Sequence, residues 1–273
     1  MRGRVTSVRK SLLSFAIGAG KTGHLARVEK SWRAVGDSEE SITRGAILRN
    51  TEITRNHLTP EISLHLLTPN CPLYHAPAPS QSNEDREHDP ATIATFREPF
   101  WSIYWPGGQA LARFVLDHGE HLFQKGDCTV LDLGTGCGAT AIAAKLRGAS
   151  EVVANDIDPV ACVAAGMNAA LNKVRLRTSK DNLLAESYRH RFDVIFVGDL
   201  LYDVEIAEIL EPWLDGALLR GAKIYLGDPG RHGVTDELRK KLKRLKTYPL
   251  PENVRRENYG FDSSTVWQFS KIP

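Results

Sequence analysis

The stretch TVLDLGTGCGATAIAA, residues 129–144, runs an apolar strand into three glycines at alternate positions and out again into a helix of small residues. A chain can pass from strand to helix this abruptly only by adopting unusual dihedrals. Gly134, Gly136 and Gly138 permit them, and without a Cβ they let a ligand approach the backbone. With Ala139 in the last position the stretch also satisfies the loose G-x-G-x-x-G/A dinucleotide pattern, and a glycine turn after a strand is sometimes only a tight connection. Taken alone, it asks for a nucleotide-like ligand without saying which.

Downstream, apolar strands are expected at 129–133, 151–156, 174–179, 192–198, 222–227 and 264–270. They alternate with helices at 139–147, 159–171, 203–215 and 235–246. This alternation predicts an α/β fold, a doubly wound, mostly parallel sheet covered on both faces. The last strand follows a turn in ENYGFDSSTVWQFSK and is expected at the sheet edge, where it could run antiparallel.

Upstream, HLTPEISLHLLTP offers Thr59 as N-cap and Pro60 at the first helical position, so a short helix closed by Pro69 is expected. Residues 70–99 are rich in Pro, Ser and charge and are expected to form a mobile loop or linker. FWSIYWPGGQALARFVLDHG then gives an aromatic cluster, a Pro-Gly-Gly turn and a helix whose Leu111, Phe114 and Val115 can face a core. The domain reading is therefore an extension over 1–40, a helix and polar loop over 50–98, and a catalytic domain over 99–273.

The formal net charge of +2 conceals an asymmetry: eight of the 35 basic residues but one of the 33 acidic ones fall within residues 1–36. The remaining 27 basic and 32 acidic residues leave about −5, a poor match to a phosphate backbone, so nucleic acid is not expected as the main substrate. The basic, acid-poor start resembles a mitochondrial transit peptide. A secretory signal built on SLLSFAIGAG and a plain disordered tail are the alternatives. The four cysteines show no C-x-x-C spacing and the nine histidines no H-x-x-x-H pair, so reduced thiols and no metal site are expected. No apolar run approaches the roughly 20 residues that span a bilayer.

Two acids sharpen the glycine turn. Asp132 precedes it inside the strand end, where an ionised carboxylate needs partners such as the turn's N–H groups or a ligand's ammonium. Asp156, in VVANDIDP, lies 22 residues after Gly134, where an acid can accept from ribose hydroxyls. In FDVIFVGDLLYD, Gly198, Asp199 and Tyr202 end a strand at the sheet edge where ligands sit, although Asp199 and Tyr202 could instead cap the helix starting near Val204.

LDLGTGCGATAIAA followed by NDIDP resembles the S-adenosylmethionine site of class I, seven-strand methyltransferases over about residues 100–273. That resemblance implies S-adenosylmethionine as cofactor. It places Asp132, Gly134, Thr135, Gly136 and Gly138 beside the methionine moiety, Asp156 on the ribose, Ile157 on the adenine, and Asp181 or Asn182 at the adenine amine, unless Asn182 only caps its loop. Gly198 would border the same site. The D-x-x-Y spacing is similar to that of the protein-lysine branch, and LTPEI, LLTP, IYWPGGQALAR, GASEVVANDIDP and GDPGR extend the likeness from about residue 50 to the mitochondrial lysine methyltransferases of the electron transfer flavoprotein β subunit. The stretch 76–98 is longer and more polar than that family's pattern.

By this resemblance Asp199 would orient the substrate lysine and Tyr202 would wall it. Trp105 would pack on the cofactor or the lysine stem, its alternative being an ordinary buried aromatic. A monomer in the mitochondrial matrix, with the cytoplasm as alternative site, is the expectation that follows. Ribosomal protein L11 methyltransferases and small-molecule methyltransferases are the nearest alternatives. A nicotinamide-dependent oxidoreductase and a catalytically silent binding module are more distant ones.

Overall fold

The computed structural model describes residues 29–75, 90–124, 126–258 and 260–271, with the backbone alone for 29–38. The transit-peptide segment thus falls mainly outside the described residues. Helix α1 (Glu29–Asn50) leads into a two-stranded hairpin, β1 (Glu52–Thr54) and β2 (Leu64–Leu66), which pair antiparallel. Short helices α2 (Pro72–His75) and α3 (Pro90–Phe96) follow, and a 3₁₀ turn at Phe100–Ser102 precedes α4 (Pro106–Leu122).

The expected helix at 59–67 is therefore a turn and a strand. Thr59 and Pro60 do give local cap signals, but Leu64, His65 and Leu66 are all buried and β2 is fixed from outside. Asn168 accepts from the His65 amide at 2.7 Å, and Asn172 both accepts from the Ser63 amide at 2.8 Å and donates to its carbonyl at 2.7 Å. Part of the expected 70–99 linker is also ordered, because Phe96 and Leu73 bury in a cluster with Ile47, Trp101, Ala161 and Met167.

The main sheet contains β3 (Thr129–Leu133), β4 (Glu151–Asn155), β5 (Arg177–Ser179), β6 (Val194–Gly198), β7 (Lys223–Asp228), β8 (Leu242–Pro249) and β9 (Ser263–Phe269). It has the order β5-β4-β3-β6-β7-β9-β8. Five strands are parallel, and β9 runs antiparallel to both β7 and β8. Helices α5 (Ala139–Leu146), α6 (Pro159–Leu171), α7 (Val204–Leu219), α8 (Asp236–Lys240) and α9 (Glu252–Glu257) complete the chain. This is the expected seven-stranded, doubly wound α/β architecture. Alternation along the strands divides the core: Val130 and Phe196 pack with Leu111, Val115 and Ile142 on one face, while Leu131, Ile195 and Val197 pack with Leu210, Trp213 and Leu214 on the other.

Two expectations at the C-terminal end need correction. The helix expected at 235–246 stops at Lys240, and residues 242–249 form a strand; β9 therefore lies inside the sheet and β8 takes the edge. ELRKKLKRLK favours a helix locally, but pairing with β9 wins. Lys243, Arg244 and Lys246 on β8 suit an edge that must not recruit another chain.

Pro-Gly-Gly is not a turn but the first turn of α4, with Pro106 at its first position. Glycines are required there by contact: a Cβ on Gly107 would lie 2.2 Å from the Gly227 carbonyl oxygen, and one on Gly198 would lie 2.9 Å from Gly108 Cα. The helix start is thereby seated directly on the ends of β6 and β7.

Asn168 is fully buried and joins the hairpin to the catalytic layer, since its Nδ2 also donates to the Cys137 carbonyl at 2.9 Å. Asn168→Leu would leave the His65 amide and the Cys137 carbonyl without these partners. We expect it to cost about 2–4 kcal/mol, read as a lower midpoint in urea unfolding.

Candidate active site

The glycine loop leaves β3 with Gly134, Gly136 and Gly138 all at positive φ (67°, 51° and 83°). Asp132 holds this geometry from beneath. Its Oδ2 accepts from the Thr135 hydroxyl at 2.5 Å and from the Ala141 amide at 3.1 Å, in a position only 2 % exposed. Asp132 Oδ2 and the Thr135 hydroxyl thus bind each other, and Oδ2 also the start of α5, so this pair shapes the loop from below.

Burial pushes the Asp132 carboxyl up to about 6 despite those two donors. Because the folded-state value lies above the unfolded one, the native state is favoured by this group below about pH 4 and loses that contribution as pH rises through about 6. Asp132→Asn mimics the protonated form. Its stability penalty in denaturant titrations should be about 3 kcal/mol larger at pH 4 than at pH 7.

Asp156, at the end of β4, faces the loop. Its Oδ2 accepts from the Gly136 amide at 2.9 Å and its Oδ1 from the Asp158 amide at 3.0 Å, so one carboxylate ties the loop to the following helix start. Burial raises its carboxyl, and the two amides oppose the shift. Each oxygen keeps a further lone pair for a hydroxyl. Beside it Ile157 is 52 % exposed, an apolar surface presented at the cleft.

Asn155, which the sequence reading passed over, proves to be the organiser of this edge. It is 2 % exposed, its carbonyl accepts from the Thr135 amide at 2.9 Å, and its Nδ2 donates to the Ser179 and Asp181 carbonyls, each at 3.0 Å. Asn182 is exposed and accepts from the Leu184 amide at 3.2 Å, as a loop-capping side chain does; Asp181 accepts from the Ser179 hydroxyl at 2.8 Å.

These residues fit an adenosyl ligand that carries positive charge. The nearest atom to a Cβ built on Gly136 is Trp101 Cα at 3.9 Å, so the loop surface lies open where a ligand would rest on it. The acids around it include Asp156 and Asp158, and burial first, then the charges of Asp156 and Glu98, hold the Asp158 carboxyl at about 6. Such a cleft suits a sulfonium and an ammonium better than a pyrophosphate. Gly138, by contrast, is needed for packing, since a Cβ there would meet Ala165 Cβ at 2.9 Å.

The β6 end is built differently from the expectation. Asp199 adopts left-handed backbone (φ 58°), a conformation an aspartate tolerates better than most residues, and its own amide donates to the Gly227 carbonyl. The side chain turns beneath α4. Oδ2 accepts from the Gly107 amide at 2.5 Å, and Oδ1 takes the Arg231 Nε at 2.6 Å. Asp199 is thus an anion at a helix N-terminus and half of a buried ion pair, whose side chains are 3 % and 13 % exposed. Each oxygen already accepts one hydrogen bond and the side chain is 3 % exposed, so the carboxylate is turned to Arg231 and the start of α4, where the expectation had it facing a substrate ammonium. Gly198 likewise packs on Gly108 rather than opening to the cleft.

The cap reading for Asp199 and Tyr202 also falls away, because Asp203 caps α7 by accepting from the Val204 amide. Tyr202 is 38 % exposed. Burial first, then the charges of Asp203 and Asp156, pushes its phenol up to about 12, so it remains a neutral hydroxyl on the cleft side.

Arg231 is the residue that sequence reasoning missed, although GDPGR contains it. Its guanidinium stacks between Trp105, 5.5 Å from the ring centroid, and Phe261 at 5.1 Å. Trp105 donates its indole N–H to the Phe100 carbonyl at 3.0 Å and forms part of this wall. Asp228 ends β7 in register one step past the Gly198–Gly227 pair. Its Oδ1 accepts from the Gly230 and Arg231 amides, its Oδ2 is buried without a hydrogen-bond partner, and burial together with the nearby Asp199 holds its carboxyl at about 6.

A family model described as ribosomal protein L11 methyltransferase (PrmA) matches residues 111–214. The chain is 44 % identical over 240 residues to the "Electron transfer flavoprotein beta subunit lysine methyltransferase" of Danio rerio, covering 86 % of each chain. The Homo sapiens protein of the same name is 38 % identical over 241 residues, covering 87 % of this chain and 86 % of that one. A Caenorhabditis elegans homolog is 34 % identical over 249 residues, covering 81 % and 93 %. A wall of Trp105, Arg231 and Phe261 on the β6–β7 side and a glycine cradle on the β3–β4 side therefore occur in a chain whose likeness to these methyltransferases runs nearly end to end.

Proposed function

Because the chain belongs to the family of electron transfer flavoprotein β subunit lysine methyltransferases, we propose that it methylates lysine side chains of that subunit, and that it does so in mitochondria. The enzyme is an S-adenosylmethionine-dependent protein-lysine methyltransferase. What carries the substrate reading is the identity of 44 % spread over 86 % of both chains, which takes in the N-terminal hairpin region as well as the cofactor cleft. Ribosomal protein L11 methyltransferases share a much shorter stretch, 39 % of this chain in one bacterial example.

When bound, S-adenosylmethionine supplies an electrophilic methyl on sulfur. The residues present would hold it with the backbone of Gly134–Gly138, the Asp156 carboxylate and the Ile157 surface. The acceptor lysine must arrive as a neutral amine, yet free lysine has a pKa near 10.4. Asp199, 3 % exposed, fixes Arg231 and the start of α4, and through them the Trp105–Arg231–Phe261 wall. A low-dielectric slot along such a wall favours the uncharged amine, and the Tyr202 hydroxyl can accept or donate one hydrogen bond there. Alignment of amine and methyl would then supply most of the acceleration, effective molarity being worth roughly 7–11 kcal/mol.

Incubating the full chain with methyl-labelled S-adenosylmethionine and purified electron transfer flavoprotein should place label on lysines of the β subunit, located by peptide mass spectrometry. Label confined to ribosomal protein L11 or to small molecules would overturn the substrate reading. Residues 1–40 fused to a fluorescent protein should direct it to mitochondria, and diffuse cytosolic signal would refute that localisation.

A further inference from the structure

A cavity of about 420 Å³ lies between the β1–β2 hairpin, residues 102–104 and α9. Its walls include Leu67, Tyr74, Ile103 and Tyr104, and exposed Asn70 and Arg256 stand at its mouth. Of the polar groups left without partners in it, two are acceptors, on Asn258 and Glu257, and one is a donor, His57 Nε2, the protonated nitrogen of a neutral ring whose Nδ1 accepts from the Thr59 amide. Asn258 is 2 % exposed; its Nδ2 donates to the Val254 carbonyl at 2.9 Å, which fixes the amide, and its Oδ1 is buried with no hydrogen-bond partner. Glu257 is half-buried and makes no ion pair or hydrogen bond among the described residues.

Cations native to the cavity do not answer these acceptors. Arg256 is paired to Glu252 at 2.9 Å, and burial pulls the His57 imidazole down to about 4, leaving it neutral. Glu52 is already engaged by the Thr68 hydroxyl at 2.7 Å and the Asn70 amide group at 3.3 Å. Burial raises the Glu257 carboxyl, and burial first, then the Glu257 charge, raises the Tyr74 phenol.

The Glu257 carboxylate and the Asn258 oxygen, between aromatic and aliphatic walls, match a side chain with an apolar stem and a donor-rich cationic head. The position matters as much as the chemistry. Ile103 and Tyr104 directly precede Trp105, and Glu257 and Asn258 shortly precede Phe261; Trp105 and Phe261 are the two rings that enclose Arg231. Residues that line the cavity and residues of the Trp105–Arg231–Phe261 wall are thus close neighbours along the chain in two places. We propose that this cavity receives an arginine or lysine side chain of the protein substrate that neighbours the methylated lysine, so that the enzyme reads a basic flanking residue as well as its target. The assignment rests on the protein-lysine reading given above.

The test titrates Nα-acetyl-arginine amide into the full-length enzyme by calorimetry and uses it as an inhibitor of methyl transfer to electron transfer flavoprotein, with Nα-acetyl-norleucine amide as the uncharged control. Expected are binding and inhibition by the arginine compound alone. Glu257→Gln, folded by circular dichroism and thermal melting, should abolish that binding and raise KM for the protein substrate roughly tenfold while kcat changes less than twofold. Glu257→Lys, which brings its own cation, should do the same or more. Binding of the arginine compound that is absent, or equal in wild type and Glu257→Gln, would overturn the proposal. Should the flavoprotein not be methylated at all, the substrate reading fails by itself, and Glu257-dependent binding of the arginine compound still decides the cavity's ligand either way.

Discussion

An Asp199→Ala variant is expected to lose about 3–5 kcal/mol of folding stability and nearly all methyl transfer. The ion pair it removes is almost wholly buried, and deleting one partner strands the other charge in low dielectric. The Gly107 amide at the start of α4 loses its acceptor in the same step. Chemical denaturation of Asp199→Ala, Arg231→Ala and the double variant should show strong coupling, with the double loss well below the sum of the singles. Asp199→Asn should fall between wild type and alanine, since its carbonyl can still accept from Gly107 while its amide group faces the Arg231 guanidinium as a second donor. Cofactor binding, read by titration with S-adenosylhomocysteine on the folded fraction, should change little, because these groups belong to the β6–β7 side. A stable Asp199→Ala with wild-type turnover would show that the pair holds nothing the reaction needs.

Asp156→Ala is expected to weaken cofactor binding about a hundredfold while leaving the fold intact. The carboxylate contributes two hydrogen bonds to backbone amides, at Gly136 and Asp158, and any bond a ribose hydroxyl makes to it. Charged hydrogen bonds of about 1.5–3 kcal/mol each make a loss of that order. Turnover at saturating S-adenosylmethionine should recover most of the wild-type rate, since the groups around the acceptor slot are untouched. Loss of kcat without loss of affinity would move Asp156 out of the cofactor site.

How far these features can be read from the chain depends on how local their causes are. Helix α6 spans the expected residues 159–171 because its start is written in adjacent residues: Asp158 accepts from the Val160 amide and Pro159 stands at the first position. The glycine loop is local in its positive-φ glycines, while Asn155 and Asp156, about 20 residues on, hold it in place. Strand β2 is not, since the groups that fix it, Asn168 and Asn172, lie more than 100 residues away and compete with a good local helix signal at Thr59 and Pro60. Residues 242–249 fail for the same reason: their helix-forming lysines and leucines are overruled by a neighbour, β9, that appears only later in the chain.

The site divides along the same line. Asp156 and Ile157 follow a strand end and stand where spacing puts them. Asp199 was identified by position but not by role, because its partners are Gly107, 92 residues earlier, and Arg231, 32 residues later. Asn155 and Arg231 stand inside NDIDP and GDPGR, but their roles are not local: each acts by joining segments that only the folded sheet brings together. Gly198 and the Pro-Gly-Gly start of α4 look like ligand and turn glycines, yet both exist so that a helix can touch a strand.

In the proposed mechanism one sheet edge is split into a cofactor half at β3–β4 and an acceptor half at β6–β7. Calorimetric titration of S-adenosylhomocysteine into Asp156→Ala and Tyr202→Phe, with kcat measured on the same preparations, tests it most directly. Asp156→Ala should lose affinity about a hundredfold and keep most of kcat at saturation, while Tyr202→Phe should keep affinity and lose kcat. Equal losses of cofactor affinity in the two variants would contradict the division.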